Sequence, residues 1–241
     1  MWGEVDILPL TDKSEVGGLT ITRLSRSSWF KLESSEKIIH FDPGYTGYFK
    51  NQGIPINELK EKADIVLISH YHKDHLQQEA LDRIIKKDSI VIAPKDCANR
   101  INANTIKFVK PGDSFNVEDI RIIVLDAYNT QEGHSTRKVH HKGDFVGYLI
   151  NMNNKSIYFA GDTDLIPEMR GLGDVDIAFL PIGGIFVMDI EEASDAVCVI
   201  KPRVVFPMHQ SKKDPRVFKR KVSVKSDSKV IILEVGDKAY E

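Results

Sequence analysis

The run HYHKDH places four metal-capable side chains, His70, His72, Asp74 and His75, within six residues. In an extended or turning loop His70 and His72 project to the same side and can share one ion, while Asp74 and His75 can aim at a second. Imidazole and carboxylate donors with no thiolate among them favour Zn²⁺ and admit Mn²⁺ or iron. Closed structural zinc sites usually recruit Cys, so this donor set points to a catalytic centre. The alternative is surface histidines with Asp74 as a helix N-cap. It would crowd cationic or unpaired groups together with nothing to organise them.

Two further segments supply the same donor types. AGDTD, Ala160 to Asp164, follows the apolar run KSIYF. Gly161 lets the backbone approach closely, and the Asp162 carboxylate can give one oxygen to each of two cations. A strand-end turn in which Asp162 or Asp164 caps the next helix competes with that reading. In FPMHQ, His209 closes the apolar run VVFPM, again at a strand end, where functional side chains concentrate.

Each of these segments needs an element to carry it. ADIVLIS, before HYHKDH, reads as a strand, and Gln77 to Lys87 as a helix with Ala80, Leu81, Ile84 and Ile85 on one side. Upstream, Leu19 to Leu24, Trp29 to Leu32 and Lys37 to Phe41 read as an antiparallel meander ending in the turn FDPGYTG. Ser89 to Ala93, Ile106 to Val109 and Ile120 to Leu125 are further strands. The second half repeats the logic with strands GDFVGYLI, KSIYFAG and VDIAFLPIG, a short helix Leu165 to Arg170 and a longer one Ile190 to Ile200. RVVFPM and a final strand KVIILEV follow. This order fits two packed sheets flanked by helices, a four-layer αββα sandwich of the α/β (α+β) class, as one domain over residues 1–241.

The 241 residues are 41% hydrophobic and 28% charged, a composition able to bury a sizeable core. MWGEVDILPLTDKSE lacks the basic-then-apolar pattern of a secretory signal. No stretch of about 18 apolar residues marks a membrane span, so a cytoplasmic location is expected. Cys97 and Cys198 sit on apolar-patterned segments and read as buried free thiols. The formal net charge is −2, yet residues 201–229 hold ten Lys or Arg against Asp214 and Asp227 alone. Lys219, Arg220 and Lys221 there read as a solvated helix face, and the functional alternative is attraction of an anionic substrate near His209. The slightly acidic charge, with no room for a large inserted clamping domain, argues against nucleic acid as the partner.

HYHKDH, GDTD and PMH, in this order and each behind a strand, resemble the metallo-β-lactamase superfamily over nearly the whole chain. DAYN (Asp126 to Asn129), VHHKGDFVGY, YFAGDTDLIPEM, LPIGG and VVFPMHQ are similar to its short branch of metal-dependent hydrolases that includes ascorbate-6-phosphate lactonase-like proteins. The resemblance implies two divalent ions. His70, His72 and a mid-chain His would hold one, Asp74, His75 and His209 the other, and Asp162 would bridge them. His134, His140 and His141 are all available for the mid-chain place. Lys142 and Gly143 match the branch's His-Pro-Lys-Gly pattern and put His140 at its His, with His141 in place of the proline. A second departure is Arg26 in LSRSSWF, where the family often has the His of Gly-His-Ser-Ser-Phe.

Two such ions, about 3.5 to 4 Å apart, would share a water, bring its pKa toward neutrality and polarise a substrate oxygen. Asp74 would orient the resulting hydroxide as the catalytic carboxylate. The implied activity is hydrolysis of a small anionic ester, a phosphodiester or a lactone. Iron-dependent redox chemistry and nuclease-like RNA processing are rival activities for this scaffold, and metal binding without catalysis is a third.

Overall fold

Strands β1 (Thr20–Arg23), β2 (Phe30–Glu33), β3 (Ile38–Phe41), β4 (Ala63–Leu67), β5 (Ile85–Pro94) and β6 (Thr105–Val109) build one sheet in the computed structural model, which describes residues 18–240. β7 (Ser114–Val117), β8 (Ile120–Asp126), β9 (Val146–Met152), β10 (Lys155–Phe159), β11 (Ile177–Pro181), β12 (Val204–Met208) and β13 (Lys229–Val230) build a second. The chain then returns to the first sheet as β14 (Lys238–Tyr240), antiparallel to β1, so each sheet has seven strands. β1 to β3 form the expected antiparallel meander. The N-terminal run searched for a secretory signal lies outside the described residues. Among the described residues, no helix is long and apolar enough to cross a membrane.

Side-chain alternation sorts each strand between layers. On β4, Ile65 and Leu67 enter the core between the sheets, while Val66 and the following Ile68 face the other way, against Ala80, Leu81 and Ile84 of helix α1 (Gln78–Ile84). The inter-sheet core centres on Phe179 of β11, with the rings of Phe30, Phe41, Phe159 and Phe206 packed around it at 4.8, 5.9, 5.9 and 5.2 Å. Helices α2 (Ile190–Ile200) and α3 (Pro215–Lys225) extend the apolar cluster beyond it with Ala193, Ala196, Val197, Phe218 and Val222. The result is the four-layer sandwich.

Several boundaries differ from the sequence reading. The helix beginning near Gln77 stops at Ile84, because Ile85 is already extended and Ser89 Oγ, accepting from Lys86 N and donating to Ala63 O, draws the chain onto β4. The short helix after Leu165 is a 3₁₀ turn, Pro167–Gly171. KVIILEV is strand only over Lys229–Val230. Ile231 N still donates to Val205 O at 3.0 Å, but the chain then crosses to the first sheet, where Leu233 O accepts from the buried Arg23 guanidinium at 2.9 Å. Lys219 and Arg220 are exposed, as a solvated helix face requires, while the partly exposed Lys221 is also paired. It and Lys225 pair with Glu191, and Lys225 with Asp195, which ties α3 to α2. Cys97 is buried, whereas Cys198 is half-buried between those helices.

Lys31 on β2 is buried and sits 2.9 Å from both Glu33 and Glu58, and Lys238 on β14 reaches Glu58 at 2.8 Å. Burial pushes the Glu58 carboxyl up, but Lys238 and Lys31 outweigh it and hold the carboxyl below the ordinary 4.5. A depressed carboxyl contributes stability above its unfolded value and loses it as pH falls through the folded one. Glu58→Gln is therefore expected to cost about 2 kcal/mol at pH 7. Urea midpoints should show the gap from the native chain closing below about pH 4.

Candidate metal centre

β3 and β4 run parallel, as do β10, β11 and β12, and β8 shares the direction of β10 because both are antiparallel to β9. The chain therefore leaves these strands along one edge of the sandwich. Asp42 follows β3, His70 follows β4, Asp162 follows β10 and His209 follows β12, while the loop between β8 and β9 carries His140. Parallel pairing turns residues far apart in sequence into neighbours.

Ring nitrogens of His70, His72 and His140 lie within 4.8 Å of one another, and so do the ligand atoms of Asp74, His75 and His209. Asp162 stands between the two groups. Its Oδ1 is 3.3 Å from His75 Nε2, and its Oδ2 is 3.4, 3.5 and 3.9 Å from Nε2 of His209, His140 and His70. All seven candidate residues are thus brought together. His134 and His141 are not among them, for His134 is 47% exposed on Asp189 and His141 points to solvent. Asp74 caps no helix. α1 begins after Gln77 without a side-chain cap, and Asp74 Oδ2 instead accepts from Ser27 Oγ at 3.1 Å and lies 3.1 Å from His209 Nε2. Gly161 has φ +66°, and a Cβ there would lie 2.7 Å from Val146 O, so the turn that presents Asp162 needs glycine.

Hydrogen bonds behind the rings decide which nitrogen faces inward. His75 Nδ1 lies 2.7 Å from Asp42 Oδ2 and His140 Nδ1 lies 3.1 Å from Phe186 O, so both Nδ1 atoms donate. Ser69 Oγ donates to Asp42 Oδ2 at 2.6 Å and so accepts from His70 Nδ1 at 2.9 Å. In each ring it is therefore Nε2 that turns toward the centre. Those three Nε2 atoms and Asp162 Oδ1 are buried without a hydrogen-bond partner. Such orphaned acceptors, all nitrogen or oxygen and all convergent, fit divalent cations.

Burial opposes charge on each of these groups. In His70, His72 and His140 it prevails and holds the rings below their usual pKa. In His75 and His209 it is outweighed by Asp162 and Asp74, joined at His75 by Asp42, and both rings are raised. Asp162 is held far below the carboxylate range by His209 and His75 against its own burial, and Asp74 likewise by His75 and His209. The concentrated negative charge calls for cations.

The sequence reading missed Asp42 and Ser27. Asp42 lies in FDPGYTG, read as a turn, and has the left-handed φ of +44°. Its signal was its place directly after an apolar strand, shared with the other site residues. Ser27 is held by Arg23, whose Nη2 donates to Arg26 O at 2.8 Å, Nε to Ser25 O at 3.0 Å and Nη1 to Gln210 Oε1 at 2.8 Å. His209 N in turn donates to Ser27 O at 3.2 Å.

Two sheets with histidines and aspartates gathered on one edge define a metallo-β-lactamase-fold protein. The β-lactamase superfamily domain matches residues 20–209. A UPF0173 metal-dependent hydrolase of Methanosarcina barkeri is 34% identical over 230 residues, 91% of this chain and 97% of the relative. A crystal structure of a Parabacteroides distasonis protein superposes with TM-score 0.78 at 30% identity, covering 90% of this chain and 93% of that one. Igni18, a metallo hydrolase of Ignicoccus hospitalis, does so with TM-score 0.75 at 27% identity, covering 92% and 98%. The chain belongs to the β-lactamase superfamily and, within it, to the UPF0173 metal-dependent hydrolases.

Asp42→Asn puts an amide where His75 and Ser69 need a carboxylate. It is expected to weaken Zn²⁺ binding about tenfold or more, measured by competition with a chromophoric chelator. Unchanged affinity would separate Asp42 from the centre.

Proposed function

We propose that this protein is a dinuclear metal-dependent hydrolase of a small anionic ester, a phosphodiester or a lactone. The observation that carries the reading is the buried Asp162 carboxylate, with four imidazole Nε2 atoms within 3.9 Å of its two oxygens. His70, His72 and His140 would hold one ion, Asp74, His75 and His209 the other, and Asp162 would give an oxygen to each. The donor set suits Zn²⁺ first, with Mn²⁺ or iron as alternatives. Bound there, the ions supply Lewis acidity for a substrate oxygen and make a water acidic enough to lose its proton near neutral pH.

The chain's own part follows from exposure and hydrogen bonding. The Asp74 side chain is 23% exposed against 3% for Asp162, so Asp74 is the carboxylate that incoming water meets. Ser27 Oγ and His209 occupy its Oδ2, which leaves Oδ1 to orient a water and receive a proton. Phe145 packs against His70, His72 and His140 and keeps water from that side.

The anionic class rests on the cations left over. Arg26 beside Ser27, and Lys212 and Lys213 just after His209, are exposed and form no ion pair among the described residues. Lys213 Cε lies 3.4 Å from where a Cβ on Gly184 would sit, against the segment that follows LPIG. Arg203, Arg216, Lys221 and Lys225 are already paired with acidic groups, so the basic stretch is a poor track for nucleic acid and a better match to one small anion. Cys97 and Cys198 form no disulfide, in keeping with a cytoplasmic enzyme.

Plasma mass spectrometry should find about two Zn or Mn per native chain and fewer on Asp162→Ala. Metal-loaded protein should turn over members of a phosphodiester and lactone panel, with kcat about 100-fold lower in Asp74→Asn. One iron per chain would move the assignment to redox chemistry. A chain that takes up no divalent ion at all would overturn it.

A further inference from the structure

We propose that Asp164 is a positioning residue, the clasp that holds the loop over residues 128–141 against the site and so sets His140. The inference rests on the dinuclear reading above. Within three residues the GDTD turn faces two ways, with Asp162 toward the candidate ligands and Thr163 and Asp164 toward the loop. Asp164 is fully buried and belongs to neither ligand group. Its Oδ2 accepts from Thr130 N at 2.9 Å, Ser135 Oγ at 2.8 Å and Lys138 Nζ at 3.0 Å. Its own N donates to Tyr128 O at 3.0 Å, and Thr163 Oγ1 accepts from Tyr128 N at 3.2 Å. Lys138, only 36% exposed, also donates to Gly133 O and Ser135 Oγ, so one charge-assisted cluster closes the loop.

Gly133 is part of the fit. A Cβ on it would lie 2.2 Å from Asp164 Oδ2, so the loop closes on the carboxylate only with glycine there. The hold then passes inward. Thr130, fixed by Asp164, adjoins Asn129, whose Oδ1 accepts from both Val139 N and His140 N at 3.0 Å and whose N donates to His140 O at 2.9 Å. His140 is the one member of its ligand group on this loop, since His70 and His72 follow β4 on the other sheet. Opening the clasp therefore removes one nitrogen from that group and none from Asp74, His75 and His209.

The test uses the full chain, stripped of metal and titrated with Zn²⁺ by calorimetry, alongside amide hydrogen exchange. Asp164→Ala and Gly133→Ala open the clasp from opposite sides, and Asp164→Asn keeps an acceptor for Thr130 and Ser135. In the first two variants, one ion should bind with native affinity and the other about tenfold or more weakly. Faster exchange should be confined to residues 128–141, and Asp164→Asn should recover most of the lost affinity. Native affinity for both ions in Asp164→Ala and Gly133→Ala would overturn the clasp, as would loss of both ions with exchange rising through both sheets. A native chain that binds fewer than two ions would overturn the dinuclear reading, while exchange confined to the loop in both variants would still support the clasp.

Discussion

His75 stands where three carboxylates meet, with Asp42 Oδ2 2.7 Å from its Nδ1 and Asp162 and Asp74 3.3 and 3.6 Å from its Nε2. Charges this close, in a place this dry, repel one another and miss their water unless cations or donors stand between them. The surrounding structure answers that constraint. Parallel strands bring their carboxyl ends to one edge, Ser69 supplies two donors to Asp42, and Ser27 supplies one to Asp74. The backbone is held in the left-handed region at Asp42 and His209, φ +44° and +47°, where side chains other than glycine rarely settle. Strain of that kind persists when neighbouring contacts over-determine it, as the Ser27 and Leu67 bonds to these two residues do.

The parts of the site legible in the sequence were the locally dense ones. HYHKDH declares itself because four donors share six residues. Asp162 and His209 could be read because each ends an apolar run. What could not be read was every contact made across the fold. Asp42 is 33 residues from the His75 it orients, Ser27 is 47 from Asp74, and Arg23 is 187 from Gln210. The choice among three neighbouring histidines rested on a short pattern. In the structure it is Asn129 and the Phe186 carbonyl, on two separate loops, that set His140 inward.

The same division holds for the fold. Long apolar runs and the 11-residue α2 were legible because side-chain periodicity is a local property. KVIILEV looked like one strand by that measure. Its apolar character serves two purposes, a two-residue pairing with β12 and then packing of Leu233 as the chain crosses to the first sheet. Half-buried Lys-rich segments were the other blind spot. A lysine tied to an acid on a neighbouring helix and a lysine facing water have the same letter.

Arg23 gathers Ser25, Arg26, Gln210 and Leu233 on one guanidinium, and its burial lowers its pKa to about 10. Two of those partners lie near the start of the chain and two near its end. During synthesis this knot cannot close before residue 233 has emerged, so the wall that brings Ser27 to Asp74 and His209 forms only after strands β1 to β13 have been made. A metal ion held through His209 would then be captured by strands already in place rather than serve as a nucleus for them.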